Sequence, residues 1–188
     1  SAHHKEHMEQ RSTCRANASS SASSTMENGA LGYGETANIS KYAKVVKSAN
    51  ATIHLTAEEM RHIDVGCGHH CNVPLMALFE FWCAVSDGID FDPIRAYSEH
   101  SMLVWFINKL RNHALPALQK LADIVEKRVH IYLADLDLCT PAFWNAYTHV
   151  YAYDFVFHTD LMTKLVKKVH NSTSIVFVTT FTSTSAVT

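Results

Sequence analysis

Four positions combine small or acidic residues with a preceding apolar run: Gly66-Cys67-Gly68 after Ile63–Val65, Asp90 closing AVSDGID, Asp135 after VHIYL, and Asp154 after THVYAY. Glycine lacks a Cβ, so a turn built on Gly66 and Gly68 lets the backbone approach a bound group closely. Asp90 follows Gly68 by about 20 residues, the spacing at which a carboxylate accepts hydrogen bonds from ribose hydroxyls. Taken singly these features are ambiguous, since a Gly-x-Gly is commonly a turn and a strand-end carboxylate commonly a helix cap. Asp137 is of that kind and is assigned no role. The four in order place a ligand at the carboxyl ends of successive strands.

The elements that would position them alternate along the chain. Ile63–Val65 reads as a strand stopped by the glycine turn, and the apolar PLMALFEFWC (74–83) as a helix buried against a sheet. Ala84–Asp90 reads as a second strand, and Asp92-Pro93 as the N-cap and first residue of a helix running through Tyr97 and Leu103. Pro116–Lys127 has helical spacing through Leu118, Leu121 and Val125, Val129–Leu133 is a third strand, and Thr140-Pro141 caps a short helix. Thr148–Tyr153 and Ser174–Phe181 are the fourth and fifth strands. Between them Leu161, Leu165, Val166 and Val169 mark a helix with Lys164, Lys167 and Lys168 facing away. Strands alternating with helices predict an α/β fold, a doubly wound parallel sheet with ligands outside the carboxyl ends of its strands.

Composition bounds the rest. The 188 residues are 47% hydrophobic with a formal net charge of −2, which suits one globular domain and excludes a uniformly basic nucleic-acid binder. No apolar run is long enough for a membrane helix. Five cysteines without framework spacing predict a reducing, intracellular setting. Residues 1–30 contain no Val, Ile, Leu, Phe, Tyr or Trp and are rich in serine, so they read as a disordered tail, with the folded domain starting near Leu31. The chain opens on Ser1 rather than Met and reads as a fragment or processed chain. His3, His4 and His7 on that tail, and the close-set Cys67, His69, His70 and Cys71, could be metal ligands. The second set is too tight for one tetrahedral ion, and no metal is assigned.

Two nucleoside-binding classes share this plan. A nicotinamide dehydrogenase needs G-x-G-x-x-G, but here Gly68 is followed by His69, His70 and Cys71 and the third glycine is missing, so a methyltransferase using S-adenosylmethionine fits better. The run YGET (33–36), IDVGCG (63–68), GIDFDPIRAYSEH (88–100) and THVYAYDFVF (148–157) resembles the disruptor-of-telomeric-silencing family, the non-SET histone H3 lysine-79 methyltransferases. The resemblance spans roughly Leu31 to Phe181, and YGET is its most specific piece. It implies a Rossmann-like class I methyltransferase fold with S-adenosylmethionine as cofactor and S-adenosylhomocysteine as product. It also implies histone H3 or the nucleosome as partner and a nuclear location.

Residue by residue, the resemblance implies that Glu35 and Thr36, in a loop closing over the methionine end, contact the cofactor. Asp64, Gly66 and Gly68 would cradle it, Asp90 would take the ribose, and Asp135 would lie near the adenine. Tyr33, Asp154 and Phe155 would stand at the transfer centre. Phe155 and Phe157 read as pocket wall or, equally, as core aromatics. His70 in place of the third glycine and Tyr153-Asp154 in place of paired asparagines depart from the family pattern, and the aspartate resembles that of diverged protist members. The stretch 108–128 reads as an insertion. Only TSTSAVT follows Phe181, so the usual sixth and seventh strands are expected to be missing.

Methyl transfer to an amine is an in-line displacement governed by positioning and exclusion of water. The attacking lysine must be neutral, and a dry aromatic channel favours that form. Asp154 would attract the ammonium or accept its proton through water. Two alternatives stand beside this reading: a binding module that keeps the fold without catalysis, and a methyltransferase for another amine, a nucleobase or small molecule.

Overall fold

A computed structural model describes residues 33–68, 71–152 and 157–180, with side chains described from Tyr42 onward. The Ser-rich tail, His69, His70, Asp154 and Phe155 lie outside the described residues. The chain divides into two units, Ser1–Asn38 and Ile39–Thr188. The sheet belongs entirely to the second.

The element order is α1 (Tyr33–Thr52), β1 (Arg61–Val65), α2 (Asn72–Phe81), β2 (Val85–Asp90), α3 (Pro93–Arg111), α4 (Pro116–Arg128), β3 (Ile131–Leu133), a 3-10 turn (Leu136–Leu138), α5 (Pro141–Trp144), β4 (His149–Ala152), α6 (Thr159–His170) and β5 (Phe177–Thr179). The five strands form one sheet in the order β3-β2-β1-β4-β5, every pair parallel. This is an α/β architecture compatible with a Rossmann-like fold. Strand order reverses between β1 and β4, so the carboxyl end of β1 lies at the switch point where such sheets bind ligands.

Strand alternation divides the core in two. Ile63, Val65, Ile89, Val150 and Ala152 pack with Trp144 of α5 and Leu165 of α6. On the other face Tyr151 packs with Tyr42 and Val46 of α1, Leu78 of α2, Leu103 and Ile107 of α3, and Val125 of α4. Helices therefore cover both faces, and β1, β2 and β4 are buried along nearly their whole length, polar residues included. The second face also buries a polar set. His62 lies 3.3 Å from Ser86 Oγ, which donates to the Pro74 carbonyl, and His149 Nε2 lies 2.8 Å from Asn50 Oδ1.

Two caps read from sequence are present: Asp92 accepts from the Ile94 amide at 2.9 Å and Thr140 Oγ1 from the Phe143 amide at 3.3 Å. The sequence reading is corrected at YGET. Tyr33, Gly34, Glu35 and Thr36 are not a loop but the helical start of α1. No proline interrupts 33–52, and the one glycine falls in the first turn, where it weakens a helix least. The 108–128 stretch is the end of α3 and all of α4, joined by a short turn.

Candidate functional site

The glycine turn is built onto β2. Gly66 N–H and Cys67 N–H donate to the Ile89 carbonyl at 2.8 and 3.3 Å, which draws the turn over the end of the neighbouring strand. Gly66 and Gly68 have φ of +73° and +84°, the left-handed region that glycine enters without penalty. Gly68 N–H then donates to Asp90 Oδ2 at 3.3 Å. The turn after β1 and the acid ending β2 are thereby brought together, as the sequence spacing requires.

Asp90 is buried, and its other oxygen is engaged as well. Oδ1 accepts from the Asp92 amide at 2.8 Å and pairs with Arg95 Nη2 at 3.0 Å. Arg95, one turn into α3, was not singled out in the sequence, although its position three residues after a capping aspartate is a common pairing geometry. Phe91 and Ile94, flanking this loop, are 56% and 74% exposed, and Leu133, level with Asp90 in the sheet, is exposed too. An apolar surface therefore lies beside the Asp90 carboxylate, with the Arg95 guanidinium 5.3 Å from the Phe91 ring centroid.

Asp64, near the end of β1, is buried. Desolvation, then the charges of Glu99 and Asp90, hold its carboxyl well above the usual carboxylate range. Glu99, on α3, is a site residue that sequence reading missed. It is fully buried, and its Oε2 meets the Cys67 thiol. Space for that thiol comes from Gly88: a Cβ there would stand 2.8 Å from Cys67 Sγ. A glycine inside a strand was the available signal, since it marks a close approach by another group.

Phe157 packs on Gly66, where a Cβ would lie 2.8 Å from its ring, so the close approach that Gly66 permits is taken by an aromatic side chain. Of its two readings, pocket wall or core aromatic, contact with the core beneath β1 and β4 fits the second. Asp135 caps the 3-10 turn, accepting from the Asp137 amide at 2.9 Å. Asp137 pairs with Lys164 at 2.5 Å, and Lys168 donates to the Cys139 carbonyl at 2.8 Å. These two lysines and Lys167 line an open cleft of about 320 Å³ beside Trp144, with part of their charge already engaged.

Among the described residues no three His, Cys, Asp or Glu side chains come together as metal ligands. No helix among them is long and apolar enough to cross a membrane. Tyr33, Glu35 and Thr36 are placed as helical backbone only. No protein-family model matches the chain, and no curated protein matches it.

Proposed function

We propose that the chain is an S-adenosylmethionine-dependent methyltransferase, with the cofactor seated outside the carboxyl ends of β1 and β2. The observation that carries this reading is the Gly68 N–H to Asp90 Oδ2 contact of 3.3 Å, which joins a glycine turn at the switch point to a carboxylate ending the adjacent strand. The exposed Phe91, Ile94 and Leu133 beside Asp90 offer apolar contacts for a nucleobase. Asp64 and Gly66 would hold the amino-acid end, and Asp90 the ribose. The cofactor would supply the electrophilic methyl group; the chain's own part is to orient it and exclude water.

The acceptor follows from the family resemblance: a lysine of histone H3 in chromatin, in the nucleus. Isothermal titration with S-adenosylmethionine tests the cofactor, with micromolar binding expected and no heat at millimolar ligand counting against it. Labelled cofactor offered with nucleosomes, free histones or nucleic acid then separates a histone methyltransferase from one acting on another amine.

A second reading is favoured by two contacts. Phe157 fills the approach at Gly66 and Arg95 occupies Asp90, and both would suit a fold kept as a binding module without cofactor. The same titration separates the two.

A further inference from the structure

Glu99 lies within α3, fully buried. Its Oε2 meets the Cys67 thiol, and its Oε1 is buried with no hydrogen-bond partner among the described residues. The groups around it are strongly unbalanced in charge. Asp64 of β1 and Asp90 of β2 are its carboxylate neighbours, and both are buried. Cys67 and Cys71 border it from the turn and from the start of α2, and burial pushes both thiols up, so they stay protonated. The cation among the described residues of this cluster is Arg95, bound to Asp90 at 3.0 Å and 3.8 Å from Asp92. His69 and His70 of the same turn lie outside the described residues.

A buried carboxylate without a counter-charge is costly, so it takes up a proton or a cation. Burial pushes the Glu99 carboxyl up to about 7. Asp90 adds to the rise, while the Cys67 thiol and the Cys71 amide oppose it. Arg95 serves Asp90, and among the described residues no cation is paired with Asp64 or Glu99. Both adjoin the glycine turn: Asp64 precedes Gly66 by two residues, and Glu99 meets Cys67 within the turn.

We infer that Asp64 and Glu99 together form the receptor for a positively charged group of the ligand, an ammonium or sulfonium, and that Glu99 releases its proton when that group arrives. The Cys67 thiol, held in place by the missing Cβ of Gly88, donates to Oε2 and leaves Oε1 for the incoming cation. This inference rests on the cofactor reading and adds to it a residue that selects ligands by charge.

The test is calorimetric titration of the protein with S-adenosylmethionine and with 5′-methylthioadenosine, which shares the nucleoside but carries neither charge. Each is run in two buffers of different ionisation enthalpy. The charged ligand is expected to release protons on binding, more at about pH 6 than at about pH 8.5, and the neutral one none at either. Glu99→Gln should weaken the charged ligand at least about tenfold and the neutral one less than about twofold. The proton count on the unaltered protein stands even if that variant folds poorly. Equal proton release by both ligands, or a folded Glu99→Gln protein that binds both as the unaltered protein does, overturns the inference and leaves the cofactor reading in place. Failure of the unaltered protein to bind either ligand overturns both.

Discussion

The Phe157 ring lies against Gly66 so closely that a Cβ added there would stand 2.8 Å from its Cζ. Gly66 also has φ +73°, so two independent constraints demand glycine. Gly66→Ala is expected to cost about 2–5 kcal/mol, the sum of a left-handed alanine and an overpacked contact. In a Phe157→Ala background the overpacking disappears and the same change should cost only about 1–2 kcal/mol. Urea denaturation of the four proteins measures this, and equal losses in the two backgrounds would show that the ring does not press on the turn.

Asp90 has a structural duty besides any ligand. It accepts from the Gly68 and Asp92 amides and pairs with Arg95. Asp90→Ala should therefore lower folding stability by about 2–3 kcal/mol, because a partly buried guanidinium and two amides lose their acceptor. Arg95→Met separates the roles. It frees Asp90 Oδ1 for a ribose hydroxyl, so nucleoside affinity should rise while stability falls. An affinity that falls with Arg95→Met would mean that the guanidinium itself touches the ligand.

Most of the fold was legible because its signals are local. Asp92-Pro93 and Thr140-Pro141 start helices by capping, and short strand runs alternate with helical runs along the chain. The sequence reading failed where placement depends on partners distant in the chain. Glu99 sits in a helix whose exposed neighbours include Met102, Val104 and Trp105, and nothing in that pattern says that its carboxylate turns inward to Cys67. Asp135 reads alike as a cap or a ligand residue until the Asp137 amide is found on it. The family resemblance implies a loop at YGET, yet the stretch through Thr52 has no helix breaker after Gly34.

The buried histidines His62 and His149 weaken the fold in acid. Burial pushes His62 down to about 3 and His149 to about 4, both far below the ordinary 6.5. The unfolded chain then binds more protons than the folded one below pH 6.5, so their contribution is complete above that value. It is lost as pH falls through the folded values. Glu99 and Asp64 act in the opposite sense. Their raised carboxyls stabilise most in acid, and for Glu99 that contribution is lost as pH rises through about 7. His149→Gln should flatten the acid limb and Glu99→Gln the neutral one. Chemical denaturation at about pH 4.5, 6 and 8 reads both, and a limb that keeps its slope in its own variant removes that residue from the account.

Glu35 separates the family resemblance from a generic Rossmann-like fold, because the glycine turn and Asp90 are shared by many nucleoside binders. The helical backbone of Tyr33–Thr52 changes how that should be tested. Residues already in a helix resist proteolysis until they unfold locally, so protection by ligand is a weak discriminator here. Binding is the better measure. As an acid in the first turn of α1, Glu35 has an ordinary role worth about 0.3–1 kcal/mol through the helix dipole, and Glu35→Ala should lower stability by no more than that. If the side chain also accepts a charge-assisted hydrogen bond from the methionine end of the cofactor, the same substitution weakens S-adenosylmethionine binding by about tenfold, or about 1.4 kcal/mol. Glu35→Gln, which keeps an acceptor but not the charge, should fall between the two. Unchanged affinity in Glu35→Ala, with stability reduced by the dipole contribution alone, would leave YGET as a helix start and withdraw the histone-lysine assignment that depends on it.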